Sequence, residues 1–174
     1  LLVGGSLGAR TINESVLQHL DLVKAADAQF IWQTGKYYST EIAERLKGAD
    51  IPNLKVTDFI TDMGAAYKAA DLVISRAGAS SISEFCLIGK PVILVPSPNV
   101  AEDHQTKNAL ALANSDAAIY VKDADAPATL LELAIKTVAD EQKLKSLSEN
   151  VLKLALPDSA DIIAKEVIKL AEKK

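Results

Sequence analysis

Short apolar segments alternate with amphipathic segments along most of this chain. The apolar segments, which predict strands, are Leu1–Val3, Gln29–Gln33, Leu54–Thr57, Leu72–Ser75, Val92–Val95 and Ala118–Val121. The amphipathic segments, which predict helices, are Ala9–Leu20, Tyr38–Lys47, Met63–Ala69, Ser81–Leu87, Asp103–Leu112 and Pro127–Asp140. Because short strands that alternate with helices form βαβ units, the strands should run parallel with helices on both faces. The sequence therefore predicts an α/β fold, a Rossmann-like doubly wound parallel sheet of about six strands, with ligands at their carboxyl ends.

The chain after Asp140 is predicted to be helical. A break at Pro157-Asp158-Ser159 precedes a last helix that runs through Leu170. A length of 174 residues suits a single domain, 1–174. Because Leu1–Val3 is a strand with nothing ahead of it, we expect this domain to be the C-terminal part of a longer protein.

The composition argues against several kinds of partner. The residues are 49% hydrophobic and 24% charged, as in a soluble globular protein, and the net charge is −4. Nucleic acid and anionic membranes both attract basic surfaces, so we expect neither nucleic acid binding nor direct membrane contact. The one cysteine and two histidines do not have the spacing of a zinc site, and we expect no metal.

A glycine-rich turn, Gly4-Gly-Ser-Leu-Gly8, joins the first predicted strand to the first helix. Glycine permits positive φ angles and lets a ligand approach the backbone, while Ser6 adds a hydroxyl donor. The helix that follows offers free N–H groups and the positive end of its dipole. These features are typical of a phosphate site. They also suit a connection that needs glycine only in order to turn.

The same turn fits a second class of protein. Gly4-x-Ser6-x-Gly8 has the spacing of the nucleophile elbow of α/β-hydrolases, which also needs a downstream acid and histidine. His19 falls within the helix that the elbow would start, so His104 would have to be the base, with an acid such as Asp71. A hydrolase that uses Ser6 leaves a second glycine turn of the chain unexplained.

That second turn follows the fourth predicted strand. Its Gly78 and Ala79 keep side chains out of the way, and Ser80 and Ser81 can donate hydrogen bonds to a phosphate. Two such turns in one α/β chain suggest a diphosphate held between two helix N-termini. The pair therefore predicts a nucleotide-linked ligand.

Three charged segments of the chain each fit two roles. Arg76 either adds a positive charge to the phosphate site or pairs with a carboxylate on the surface. Glu84 completes the capping-box spacing Ser81-x-x-Glu84, so it either caps its helix or accepts hydrogen bonds from a ribose diol. Asp123-Ala-Asp125 resembles a metal-binding pair, but Pro127 follows it, and we expect it to start a helix.

A polar loop, Pro96–Asn108, follows the fifth predicted strand on the same edge. Its polarity suits a binding loop. Gln105 is its informative residue, because an amide can both donate to and accept from sugar hydroxyls. Asp103 suits the N-cap of the next helix, and His104 suits a surface position.

The segment Asp58–Gly64 follows the third predicted strand and is apolar where a loop should be polar. Phe59, Ile60 and Met63 either form the floor of a base pocket or pack beneath the next helix.

Together these residues resemble a known family across nearly the whole chain. The matching segments, in the family's order, are Gly4-Gly-Ser-Leu-Gly-Ala-Arg10 with Asn13, Val56-Thr-Asp-Phe-Ile-Thr-Asp-Met63, Ala70-Asp-Leu-Val-Ile-Ser-Arg-Ala-Gly-Ala-Ser-Ser-Ile-Ser-Glu84, Gly89-Lys-Pro91 and Asp103-His-Gln-Thr-Lys-Asn-Ala109. The chain is similar to the C-terminal, donor-binding half of the MurG family. These are GT-B glycosyltransferases with two facing Rossmann-like domains.

The resemblance implies a site for UDP-N-acetylglucosamine (UDP-GlcNAc). It implies diphosphate contacts for Ser6 and for Ala79–Ser81 at the start of the helix. It also implies a uracil contact for the backbone of Ile60, a ribose contact for Glu84 and a sugar contact for Gln105. His104 stands where some relatives carry a second glutamine. The full set implied to bind this substrate is Ser6, Phe59, Ile60, Met63, Gly78, Ala79, Ser80, Ser81, Ile82, Ser83, Glu84, His104 and Gln105.

The resemblance also implies a reaction. The family transfers N-acetylglucosamine from UDP-GlcNAc to lipid I, an undecaprenyl-pyrophosphoryl muramoyl pentapeptide, to give lipid II in peptidoglycan biosynthesis. The muramoyl 4-hydroxyl attacks the anomeric carbon with inversion while UDP leaves, without a metal or cofactor. The general base, the lipid I site and the membrane patch belong to the N-terminal domain.

The resemblance also implies what this half does, what it contacts and where the enzyme lies. This half should carry no catalytic residue and should bind the donor without turnover. Its partners should be UDP-GlcNAc and the N-terminal domain, with lipid I reached through that domain. The enzyme should lie peripherally on the cytoplasmic face of the bacterial plasma membrane, while this half alone should be soluble.

Other interpretations use the same diphosphate geometry. A different GT-B UDP-sugar transferase or a UDP-sugar epimerase would differ in its sugar or acceptor. A non-catalytic UDP-sugar binding module and the hydrolase based on Ser6 belong to other classes.

Overall fold

The computed structural model describes residues 1–172. The strands are β1 (Leu2–Val3), β2 (Phe30–Gln33), β3 (Leu54–Thr57), β4 (Val73–Ser75), β5 (Val92–Leu94) and β6 (Ile119–Tyr120). They form a single sheet in the order β3-β2-β1-β4-β5-β6, and every neighbouring pair is parallel. This confirms the predicted doubly wound parallel sheet, with β3 at its predicted bounds.

Helices connect the strands and continue after the sheet. They are α1 (Arg10–Gln18), α2 (Leu20–Ala25), α3 (Ser39–Arg45), α4 (Met63–Ala69), α5 (Ala79–Ile88), α6 (His104–Ala113), α7 (Ala126–Val138), α8 (Glu141–Leu152) and α9 (Ser159–Glu172). Short 3-10 turns, Ala101–Asp103 and Asp123–Asp125, precede α6 and α7. Within the described residues, no helix is both long enough and apolar enough to span a membrane.

The first predicted helix is interrupted. His19 has φ −130° and ψ 37°, which is not helical, and its N–H donates to the Val16 carbonyl at 3.1 Å. The ring Nδ1 of His19 also lies 2.9 Å from the Ser15 carbonyl. These contacts end α1 at Gln18, and the chain starts the separate helix α2. The prediction of one helix through Leu20 was therefore wrong.

Two hydrophobic clusters bury the two faces of the sheet. One contains Ile12 and Val16 of α1, Trp32 of β2, and Leu130 of α7. The other is centred on Phe85 of α5 and also includes residues of β4, β5, α6 and α8. Because both faces of the inner strands are covered, β4 and β5 are fully buried, whereas Lys55 and Val56 of the edge strand β3 are exposed.

The strand order indicates the edge of the sheet at which a ligand is expected to bind. From β1 the chain adds β2 and β3 on one side, then crosses to β4 and adds β5 and β6 on the other. The reversal lies between β1 and β4, where Val3 pairs with Ser75. In open α/β sheets, ligands bind at the carboxyl edge beside such a switch point.

Candidate functional site

The two glycine turns lie side by side at this switch point. The first follows Val3 and the second follows Ser75, and these two residues are partners in the sheet. Neighbouring strands lie about 4.8 Å apart, so both turns and the helices that they start meet at one place. The structure thus brings together the two features that predicted a diphosphate.

Helices α1 and α5 begin there without a side-chain cap. Their N-cap residues are Ala9 and Gly78, and neither first turn carries an acidic residue. Asp62 and Asp140 cap α4 and α8 with hydrogen bonds of 2.8 and 2.9 Å from backbone N–H groups. Helices α2, α3, α6 and α7 also lack a side-chain cap, so α1 and α5 are set apart by their shared position at the switch point. The first N–H groups of α1 and α5 are therefore available to an anion, which each exposed terminus stabilises by about 0.3–1 kcal/mol.

The first turn holds Ser6 at an exposed tip. Gly5 has φ +77° and Gly8 has φ +92°, and the Gly8 N–H donates to the Gly5 carbonyl at 3.0 Å. Side chains with a Cβ rarely adopt these angles, so the turn depends on glycine. The Ser6 carbonyl accepts a 3.1 Å hydrogen bond from the Lys36 N–H, which ties the tip to the loop after β2.

The second turn starts α5 earlier than predicted. Because α5 begins at Ala79, Ser81 is its third residue and cannot form the predicted capping box with Glu84. Ala79 and Ser80 are exposed at the helix start, with Ser81 half-buried behind them. The first three amides of α5 are thus those of the residues implied to meet the diphosphate.

Two residues of the predicted set are committed to α5 itself. The Ile82 N–H donates to the Gly78 carbonyl at 3.0 Å, and its side chain packs against the cluster around Phe85. The Ser83 hydroxyl donates to the Ala79 carbonyl at 3.0 Å. Both residues fix the helix rather than extend the set of free donors at its start.

Glu84 is held by a residue that the sequence analysis did not identify. The Tyr67 hydroxyl of α4 donates to Glu84 Oε2 at 2.9 Å. Burial raises the pKa of Tyr67, and the hydrogen bond to Glu84 raises it further, so the phenol stays protonated as a donor. The Tyr67 ring also packs edge-on against Phe85, with centroids 5.6 Å apart. No sequence pattern indicated this contact, because Tyr67 and Glu84 lie on different helices.

The guanidinium of Arg76 is held by contacts within the protein. Its Nη1 donates to the carbonyls of Val95 and Pro96, both at 3.1 Å, and forms an ion pair with Asp123. Its Nη2 lies 3.4 Å from the Thr11 hydroxyl. The predicted pairing with a carboxylate is confirmed, although both side chains are about four-fifths buried, not on the surface.

Asp123-Ala-Asp125 starts a helix, as predicted: it forms the 3-10 turn that runs into α7, with Asp125 at the N-cap position. Neither Asp123 nor Asp125 caps α7 with its side chain, because Asp123 turns towards Arg76. The ion pair ties the segment after β6 to the turn after β4. Across residues 1–172, no group of three or more His, Cys, Asp or Glu side chains is placed to hold a metal ion.

Gln105 joins two loops of the edge. Its Oε1 accepts from the N–H of Ala77 at 3.2 Å and from the N–H of Ser97 at 2.9 Å. The carbonyl end of the amide is therefore used to fix the loops, and the Nε2 end is left to donate. His104, one residue earlier, is exposed and donates from Nδ1 to the Ala101 carbonyl at 2.7 Å.

The apolar segment after β3 stays outside the core. Phe59 is 46% exposed, and the Lys36 ammonium lies 5.7 Å from its ring centroid. Ile60 and Met63 are half-buried, and neither belongs to the two clusters of described core residues. These three residues are therefore not part of the two core clusters of the described chain.

The hydrolase triad is not assembled. Asp71 precedes β4 and lies at the amino ends of the strands, where it lines a cavity of 590 Å³ with Leu1, Phe30 and Ile135. Ser6 follows β1 and lies at the opposite edge. An acid at Asp71 therefore cannot orient a histidine beside Ser6, and the triad suggested with Asp71 is not formed.

Comparison with known families gives a match that covers all six strands of the sheet. Residues 1–163 match the model of the glycosyltransferase family 28 C-terminal domain. A protein of Bacteroides thetaiotaomicron is 68% identical over 174 residues. One of Cytophaga hutchinsonii is 51% identical over 169 residues. Both carry the name UDP-N-acetylglucosamine–N-acetylmuramyl-(pentapeptide) pyrophosphoryl-undecaprenol N-acetylglucosamine transferase.

The chain spans about half the length of these curated relatives. The alignments cover 99% and 97% of this chain but 47% and 45% of the two relatives. Among solved structures, MurG of Acinetobacter baumannii matches with a TM-score of 0.79 at 32% identity, over 99% of this chain and 49% of that one. The glycosyltransferase VinC matches with a TM-score of 0.73 at 21% identity, which shows a shared fold.

Proposed function

This chain belongs to the glycosyltransferase family 28 C-terminal domain family, and we propose that it is the UDP-GlcNAc-binding half of a peptidoglycan N-acetylglucosaminyltransferase. The observation that carries the proposal is the pair of uncapped helix N-termini at the switch point. α1 and α5 direct free N–H groups to the place where the turns after Val3 and Ser75 adjoin. The names of the relatives support this donor and this transfer.

The other parts of the donor have candidate contacts around the diphosphate. The Ser6 hydroxyl lies at the tip of the first turn, and the amides of Ala79–Ser81 begin α5. Glu84, held by Tyr67, accepts the ribose hydroxyls, and Gln105 donates to the sugar from Nε2. The uracil lies against Ile60, beside Phe59.

The chemistry expected of this half is stabilisation of the leaving group. As the glycosidic bond breaks, negative charge develops on the UDP diphosphate, and the preorganised N–H groups of two helices oppose that charge. No metal or other cofactor is needed in this scheme. The attacking 4-hydroxyl of lipid I, its general base and the surface that meets the membrane would be supplied by the other half of the enzyme, at the cytoplasmic face.

A titration followed by amide NMR tests this function on the chain itself. UDP-GlcNAc, UDP-glucose, UMP and free N-acetylglucosamine are added separately. We expect shifts at Ser6, Ile60, Ala79–Ser81 and Gln105 that are largest with UDP-GlcNAc. Affinity should be weak, because the other half of the enzyme should form part of the cleft; a millimolar dissociation constant corresponds to about 4 kcal/mol.

The variant Glu84→Ala provides the control for specificity. It should weaken the response to every uridine ligand, because each has a ribose. A folded chain that gives no shifts up to several millimolar UDP-GlcNAc, or that responds equally to free N-acetylglucosamine, would contradict the proposed donor site.

A further inference from the structure

Gln33, the last residue of β2, lies between two loops of the candidate site. It is opposite Val3 of β1 on one side and Thr57 of β3 on the other. Its side chain is buried, with 3% of its surface exposed. The first glycine turn begins just after Val3, and the segment carrying Phe59 and Ile60 begins just after Thr57. A buried amide at this position can therefore reach both.

The carboxamide of Gln33 uses both of its ends. Oε1 accepts from the Gly5 N–H at 2.9 Å, while Nε2 donates to the Gly5 carbonyl at 2.8 Å and to the Asp58 carbonyl at 3.0 Å. The backbone carbonyl of Gln33 also accepts from the Gly4 N–H at 3.1 Å. One residue thus fixes three successive peptides at the start of the glycine turn and the first peptide of the segment after β3.

We propose that Gln33 is a positioning residue that couples the diphosphate turn to the uracil loop. The inference rests on the proposed function, because that function assigns the turn to the diphosphate and the loop to the base. Burying an amide is costly unless its hydrogen bonds are made, and here all of them go to these two loops. Through Gln33, the diphosphate turn and the uracil loop hold each other in place. Both parts of UDP therefore meet loops that are already ordered.

The chain offers a matched control at the opposite edge of the sheet. Asn53, like Gln33, has a side-chain amide that joins loops, although it is only partly buried. Its Nδ2 donates to the carbonyls of Val23, Ala26 and Ala28 at 2.7, 3.2 and 3.0 Å. It precedes β3, so it fixes loops at the amino ends of the strands, away from the candidate site. Removing the Asn53 amide shows how the loss of a structural amide affects stability and binding when no contact at the candidate site is changed.

The test compares the near-isosteric variants Gln33→Met and Asn53→Leu. Both should lower the unfolding midpoint, since each leaves backbone groups without a partner. Under conditions where all chains are folded, Gln33→Met should weaken UDP-GlcNAc binding by about tenfold or more, and Asn53→Leu should leave it unchanged. Equal dissociation constants for Gln33→Met and the unmodified chain would overturn the proposal.

Two NMR readouts separate positioning from stability. In the absence of ligand, the Gly5 amide should exchange with solvent faster in Gln33→Met but not in Asn53→Leu. Saturating uridine, which has no phosphate, should shift the Gly5 amide of the unmodified chain and leave it unmoved in Gln33→Met. The same Gly5 shift in both chains would overturn the coupling.

The proposed function and this inference fail in different ways. If the unmodified chain binds no uridine ligand, the donor site is wrong, and with it the coupling. The Gly5 exchange rates would still decide whether Gln33 holds the turn. If the chain binds UDP-GlcNAc and Gln33→Met binds it equally well, only the inference about Gln33 is wrong.

Discussion

Tyr67 of α4 holds Glu84 of α5 through a hydrogen bond of 2.9 Å from its phenol to Oε2. Because the pKa of the Tyr67 hydroxyl is raised, the phenol stays protonated near neutral pH and can donate this hydrogen bond. Because one carboxylate oxygen is engaged, the direction of the other is restricted. We infer that this pair sets the position of the carboxylate proposed to accept the ribose diol.

Tyr67→Phe should weaken UDP-GlcNAc binding by roughly 3- to 10-fold, because the aromatic ring stays against Phe85 while the donor to Glu84 is lost. Isothermal titration calorimetry measures this change. Tyr37→Phe is the matched control, since the Tyr37 side chain is 80% exposed. Equal affinities for the two variants would show that Tyr67 does not orient Glu84 for the ligand.

Asp123→Asn should lower the free energy of unfolding by about 1–3 kcal/mol, because it leaves the largely buried Arg76 guanidinium without its counter-ion. Urea denaturation gives the value. Asp125→Asn makes the same change in charge two residues away, in a side chain that does not cap α7, and should have little effect. Similar losses for both variants would mean that net charge, not the ion pair, determines the result.

Gly35→Ala should destabilise the chain far more than Gly48→Ala. Both residues have φ near +80°, so both substitutions cost about 1 kcal/mol of backbone strain. A Cβ at Gly35 would also lie 2.1 Å from the Gly8 nitrogen, whereas a Cβ at Gly48 would meet nothing within 4 Å. Thermal unfolding of the two variants compares them. Equal midpoints would contradict the close packing of the first glycine turn against the loop after β2.

Gln105→Glu should separate stability from binding. The carboxylate still accepts from the N–H groups of Ala77 and Ser97, so the unfolding midpoint should stay close to that of the unmodified chain. It has no amide donor and repels a diphosphate, so UDP-GlcNAc affinity should fall by about tenfold. Gln105→Ala should lower both quantities. Unchanged affinity in Gln105→Glu would remove Gln105 from the sugar contacts.

Local patterns predicted the fold well because each element depends on nearby residues. The apolar segments predicted the strands. The elements β3 and α4 have the predicted bounds; α4, for example, starts directly after its N-cap residue Asp62. The start of α5 was placed two residues late because Ser81 and Glu84 matched a capping box. Gly78 is extended, with φ −68° and ψ 142°, and lets the helix begin at once.

Contacts between distant residues were the part that sequence patterns could not supply. Arg76 and Asp123 are 47 residues apart, and Tyr67 and Glu84 lie on different helices, so no spacing rule links either pair. The same reason hid the role of Gln33, whose sequence position indicates only a strand end. The predicted ligand contacts themselves stay predictions, although the structure gathers most of them at one edge of the sheet.

The most direct test of the account is a crystal structure of the chain with UDP-GlcNAc. We predict the diphosphate between the starts of α1 and α5, with the ribose on Glu84 and the uracil beside Ile60. A nucleotide bound elsewhere, for instance in the cavity that Asp71 lines at the opposite edge, would contradict the central claim that two uncapped helix N-termini form the donor site.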